Sequence, residues 1–150
     1  MAETLRLAIE QEARRLGFDW VGVTTPQPPP HWMVYSHWLA QGRHGEMAYL
    51  ASDRARQRRA NPRQILAECR SILLLGIPYE APQNPELSQP DHPASVLRGR
   101  LAAYAWGEDY HDVLAERLGL LMNFIEAKSG TPVLNRWYSD TGPVLERPRS

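Results

Sequence analysis

A chain of 150 residues, 43% hydrophobic and 23% charged, is long enough to bury one core and too short for two domains of ordinary size. Its 17 basic and 17 acidic residues cancel, which excludes a uniformly basic nucleic-acid coat and an acidic solubility tail. Every basic residue except Lys128 is arginine, a bias that a skewed genomic composition explains as well as anion recognition does, so only local clusters carry meaning. The lone cysteine, Cys69, can form no internal disulfide and cannot supply the four thiolates that an iron–sulfur cluster normally takes from its protein. The N-terminal segment is charged and has no apolar signal core, and no window approaches the roughly 18 apolar residues of a membrane span, so a soluble cytoplasmic protein is expected.

In chain order, Leu5, Ile9, Ala13 and Leu16 recur at helical spacing behind Thr4 as a possible N-cap, with Gly17 following the last turn. Phe18 to Thr25 is β-rich and stopped by Pro26, so a strand is expected, followed by a stiff loop through Pro28, Pro29 and Pro30. A helix is expected over His31 to Ala40, closed by Gly42, and a second from Gly45 to Ala51. Pro62 to Arg70 suggests a short helix leading into Ser71 to Tyr79, whose Ile-Leu-Leu-Leu run suits a strand buried on both faces. Glu80 to Pro93 holds four prolines and suits an exposed loop, and Leu101 to Trp106 is a second candidate strand. The strongest helical pattern lies in Asp109 to Lys128, where Val113, Leu114, Leu118, Leu121, Met122 and Ile125 recur before Gly130; Pro132 then opens a last strand, Val133 to Ser139. Alternating helices and strands imply an α/β fold, with α+β as the other possibility: a small central sheet flanked by helices in a single domain over residues 1–150.

Several chemistries find no support. No Gly-rich phosphate loop, zinc-protease helix or serine elbow is present, and His31 and His37 are six apart, off one helical face, so no metal site is expected. Arg54, Arg56, Arg58, Arg59 and Arg63 form a basic stretch with no acid among them, which suits either a solvated surface or anion binding. Three polar-aromatic clusters remain: Gly42 to Leu50, Tyr104 to His111 at the turn before the long helix, and Tyr138 to Arg147, where a carboxylate precedes a Gly-Pro turn. A turn before a helix is a common ligand position. Each cluster also has a structural explanation: Asp140 could make an Asx turn with Gly142, and His111 could cap or pack against its helix.

Together the clusters point further. GRHGEMAYL at 42–50, the Arg59-x-x-Pro62 spacing, SILLLGIPY at 71–79, AYAWGEDYHDVL at 103–114 and YSDTGPVLER at 138–147 occur in an order that resembles the N-terminal region of epoxyqueuosine reductases. The resemblance implies a cobalamin-dependent iron–sulfur oxidoreductase of queuosine biosynthesis, which removes an epoxide oxygen from epoxyqueuosine in a tRNA anticodon loop, with electrons passing from two [4Fe-4S] clusters to cobalamin. On that basis Asp140 is expected to protonate the departing oxygen, which requires burial to lift its pKa toward the working pH. Tyr104, Tyr110 and His111 are expected to line the cobalamin pocket, Arg147 to meet the carboxylate or the nucleotide, and the Arg54 to Arg63 stretch to contact tRNA phosphates. In the resembled family a Gly-rich segment and a ferredoxin-like module with two sets of cluster cysteines follow; here Pro148-Arg149-Ser150 end the sequence. The expectation is therefore a truncated N-terminal part of a larger reductase, lacking iron, binding cobalamin weakly or not at all, and inactive alone. The competing expectations are a non-catalytic tRNA- or protein-binding module completed by a partner chain, and a related corrinoid reductase with another substrate.

Overall fold

A computed structural model describes residues 2–79, 102, 105, 107–140 and 142–145. Helix α1 spans Ala2–Arg15, strand β1 Trp20–Thr24, helix α2 Trp32–Ala40, helix α3 Asp53–Ala60, strand β2 Ile72–Gly76 and helix α4 Tyr110–Ser129. The strands pair antiparallel, with Trp20 opposite Gly76 and Thr24 opposite Ile72. Helices beside a small antiparallel sheet place the described residues on the α+β side of the expected class.

The core forms where α1 crosses α4 over one face of the sheet. Ala13, Phe18 and Leu121 are buried at its centre, and Ile9, Val21, Leu73, Leu75, Leu114, Leu118 and Ile125 close around them. The small Ala13 side chain lets the helices approach, and Phe18 and Leu121 each contribute about 2–3 kcal/mol by leaving water. Phe18 was expected at the start of β1. It instead turns into the core one step after α1, its amide donating to the Ala13 carbonyl at 3.0 Å, and the strand begins at Trp20.

Other expectations need correction. Thr4 lies inside α1 and not at its cap. The β2 run is half-buried, not buried on both faces, because α1 and α4 cover one side while Trp20 on the other is 64% exposed and lies across Gly76. No helix starts at Gly45: Gly42 and Gly45 take φ of 67° and 55°, left-handed values that break a helix, and only a 3-10 turn at Ala48–Ala51 follows. Between Pro62 and Arg70 there is one 3-10 turn, Pro62–Gln64. Val133 to Ser139 is not in a strand among the described residues; at its start side chains hold the backbone, Glu126 Oε1 accepting from the Val133 amide at 2.8 Å and Asn135 Nδ2 donating to the Val133 carbonyl at 3.0 Å. The candidate strand at Leu101 to Trp106 falls mostly outside the described residues. Among the described residues no helix is long and apolar enough to cross a membrane.

Candidate active site

The start of α4 is built by its cap. Asp109 adopts extended backbone (φ −61°, ψ 117°), and its carboxylate accepts from the His111 amide at 2.9 Å, satisfying one of the free N–H groups of the first turn. The same oxygen, Oδ1, lies 2.9 Å from His111 Nδ1, so backbone and ring are clasped by one acceptor. These two bonds, the backbone one the larger, hold the Asp109 carboxyl below its ordinary pKa. With His111 fixed, its ring lies against that of Tyr110, centroids 4.1 Å apart and planes tilted by 31°.

Helix α4 ends at Gly130, whose left-handed φ of 71° turns the chain back, and residues 131–139 return toward the helix start. There Asp140 takes φ 57°, a left-handed conformation that few residues other than glycine adopt and aspartate tolerates better than most. The Tyr110 hydroxyl donates to Asp140 Oδ2 at 2.7 Å, closing a 30-residue loop between the two ends of this unit. Gly142 is required two residues on, since a Cβ there would stand 2.7 Å from the Tyr138 Cβ and 2.8 Å from its Cγ. Tyr138 and Gly142 thus pinch the chain around Asp140, whose carboxylate remains exposed with Tyr110 as its partner.

Of the expected site residues, Asp140 and Tyr110 are brought into direct contact, and the His111 ring lies tilted against Tyr110. Tyr110 meets the carboxylate itself, a contact that its motif alone does not imply. The Asx turn expected from Asp140 to Gly142 runs through Thr141, which lies outside the described residues. Tyr104 and Arg147 lie outside the described residues. The site also uses Asp109, whose signal in the sequence is that of an aspartate directly before a helical pattern, a recognisable cap. The burial expected around the acid is not supplied by the described residues, which leave Asp140 exposed.

The Arg54 to Arg63 stretch is divided by structure. Ser52 caps α3 by accepting from the Ala55 amide at 3.3 Å, and Arg54 and Arg58, four apart, share one helical face. On another side Arg59 sits over the Tyr35 ring at 5.7 Å, with Arg56 close enough to act on the same phenol. Burial pushes the Tyr35 phenol above its ordinary pKa, and Arg59 and Arg56 oppose that shift. Arg63 follows in the Pro62–Gln64 turn and is exposed. None of the five forms a salt bridge among the described residues. No cluster of three or more metal-ligating side chains exists among the described residues, and the Cys69 thiol donates to the Ser71 carbonyl at 3.4 Å.

Comparison with known proteins agrees with the motif order. The family model described as "Epoxyqueuosine reductase QueG, DUF1730" matches residues 59–141, more than half of the chain. An epoxyqueuosine reductase of Synechocystis is 35% identical over 73% of this chain and 34% of its own length. One of Pseudomonas aeruginosa is 31% identical over 95% of this chain and 38% of its own length. A crystal structure of an epoxyqueuosine reductase with an epoxyqueuosine-modified tRNA-Tyr stem loop superposes with a TM-score of 0.75 at 25% identity, covering 98% of this chain and 37% of that one. The chain therefore spans between a third and two-fifths of the length of these relatives. With more than half of its residues matched by the family model, the chain belongs to the epoxyqueuosine reductase family.

Proposed function

We propose that this chain supplies the substrate- and cofactor-facing part of an epoxyqueuosine reductase acting on epoxyqueuosine in a tRNA anticodon loop, in the cytoplasm. The observation that carries the reading is the exposed Asp140 carboxylate held at 2.7 Å by the Tyr110 hydroxyl beside the Tyr110–His111 ring pair. Converting an epoxide to an alkene consumes two electrons and two protons and releases the oxygen as water. Asp140, once protonated, donates a proton to that oxygen as its C–O bond breaks, and Tyr110 keeps the donor aimed.

The tilted rings of Tyr110 and His111 and the exposed Asp140 form one wall suited to a flat cofactor, so these residues fit one side of a cobalamin, with Tyr104 and Arg147 as its further expected contacts. When bound, the cobalamin supplies the electrons. The residues of this chain do not fit [4Fe-4S] clusters, since a single thiol cannot take the place of four. Cluster ligands must then come from sequence that the relatives possess beyond the matched third to two-fifths, or from a partner chain. Arg54, Arg56, Arg58 and Arg63 offer uncompensated charge to the tRNA backbone.

Asp140→Asn in the intact reductase tests the acid. It keeps the shape and loses the proton, so turnover of epoxyqueuosine-containing tRNA is expected to fall by about a hundredfold or more. Unchanged turnover would remove Asp140 from the mechanism.

A further inference from the structure

We infer that the ridge formed by the Ala48–Ala51 turn and helix α3 is a surface for an RNA loop, on which Tyr49 stacks with an unpaired base while Arg54, Arg56, Arg58 and Arg63 hold the flanking phosphates. The inference rests on the tRNA reading above and adds to it a base contact and a location. Its first support is charge: the segment from Arg54 to Arg63 contains no acid, and none of its five arginines forms a salt bridge among the described residues. In a chain with zero net charge this is a local concentration of positive potential, which attracts a phosphate backbone without requiring a basic protein.

The second support is the ring. Tyr49 is 65% exposed although it sits in a short turn against α3, and it lies near the half-buried Tyr35, where Arg56 and Arg59 also converge. Tyr35 is fixed from beneath. Its hydroxyl donates to the Leu50 carbonyl at 3.1 Å, and its ring lies between Trp32 and Trp38, at centroid distances of 5.8 and 6.0 Å. The turn that carries Tyr49 is therefore anchored to α2, and Ser52 ties it again by donating to the Tyr49 carbonyl at 2.9 Å. An anchored turn presenting an exposed ring beside guanidinium groups suits the flat face of an unstacked base, whereas an acidic peptide would use the charges and leave the ring idle.

The test uses the whole chain and a fluorescently labelled RNA hairpin with a single-stranded loop, followed by anisotropy at low ionic strength. Blunt duplex RNA and polyglutamate serve as competitors, and circular dichroism checks each variant. Wild type is expected to prefer the hairpin to the duplex. Arg54→Ala with Arg58→Ala should weaken binding and reduce the dependence of log affinity on log salt by about one per arginine removed. Tyr49→Ala should weaken hairpin binding about fivefold or more and leave duplex binding unchanged, with Tyr49→Trp restoring it. Absence of hairpin binding at low salt, an Arg54/Arg58 variant no weaker than the distant Arg6→Ala, Arg15→Ala control, or polyglutamate competing as well as unlabelled hairpin would each overturn the surface. None of these results bears on turnover by the Asp140 variant, so the surface and the reductase reading fail separately.

Discussion

The hydrogen bond from Tyr110 to Asp140 is the contact on which the proposed chemistry turns, and its contribution can be separated from any contribution to folding. Asp140 is exposed, Tyr110 is half-buried, and neither belongs to the Ala13–Phe18–Leu121 core, so removing the hydroxyl costs the fold little. In the intact reductase, Tyr110→Phe is expected to lower kcat about tenfold with KM unchanged, because the bond strengthens as Asp140 gives up its proton and becomes a charged acceptor, and a hydrogen bond to a charged group is worth about a factor of ten or more. Steady-state kinetics checks this; a rise in KM at constant kcat would instead mean that Tyr110 binds substrate. The identities of Asp140, Tyr110 and His111 as candidate residues were legible from their motifs. That Tyr110 serves the carboxylate was not, because a contact across thirty positions depends on where the return segment lies and not on local pattern.

At the scale of the element, α4 shows why some boundaries were readable. Its cap, apolar periodicity and terminal glycine all agree, and the helix found, Tyr110–Ser129, lies within a residue of the pattern at each end. The cap also gives a pH dependence. Because the folded state holds the Asp109 carboxyl below its ordinary value, the contribution is complete above that ordinary value, near pH 4, and is lost as pH falls through the lower folded value. Amide exchange at His111 should therefore accelerate as pH drops below about 4, once the intrinsic exchange rate is corrected for, and in Asp109→Ala this acid-dependent step should vanish. The failed elements share a cause. Gly45 to Ala51 has helix-compatible side chains but left-handed glycines just before it and at its first position, and Val133 to Ser139 has strand-like residues but no neighbouring ladder among the described residues. Propensity identifies what a segment tolerates; only a partner makes it a strand.

For the molecule as a whole, the described core is small, with four buried hydrophobic residues and the sheet's second face left to Trp20, Leu74 and Ile72. A core this small concentrates stability in few side chains. Leu121→Ala should cost about 3 kcal/mol, read as a lower midpoint in urea, while Leu120→Ala, at 48% exposure one residue away, should cost a small fraction of that. Equal effects would mean that α4 is rotated from the orientation described. The antiparallel pairing of β1 with β2, separated by nearly fifty residues, was beyond sequence patterning for the same reason as the Tyr110 contact: the two apolar runs signal strands, not their direction.

The segment that returns along α4 has a length as well as a course. From Glu126, which pins the Val133 amide, back to Tyr110 the helix rises about 24 Å at ~1.5 Å per residue. From Val133 to Asp140 the chain has seven steps, a reach of roughly 23–25 Å when fully extended. Apart from the reach of the side chains at either end, the strip has almost no slack. It is a strip strung between two anchors, Glu126 and Tyr110, and the number of its residues bounds how far along the helix Asp140 can reach.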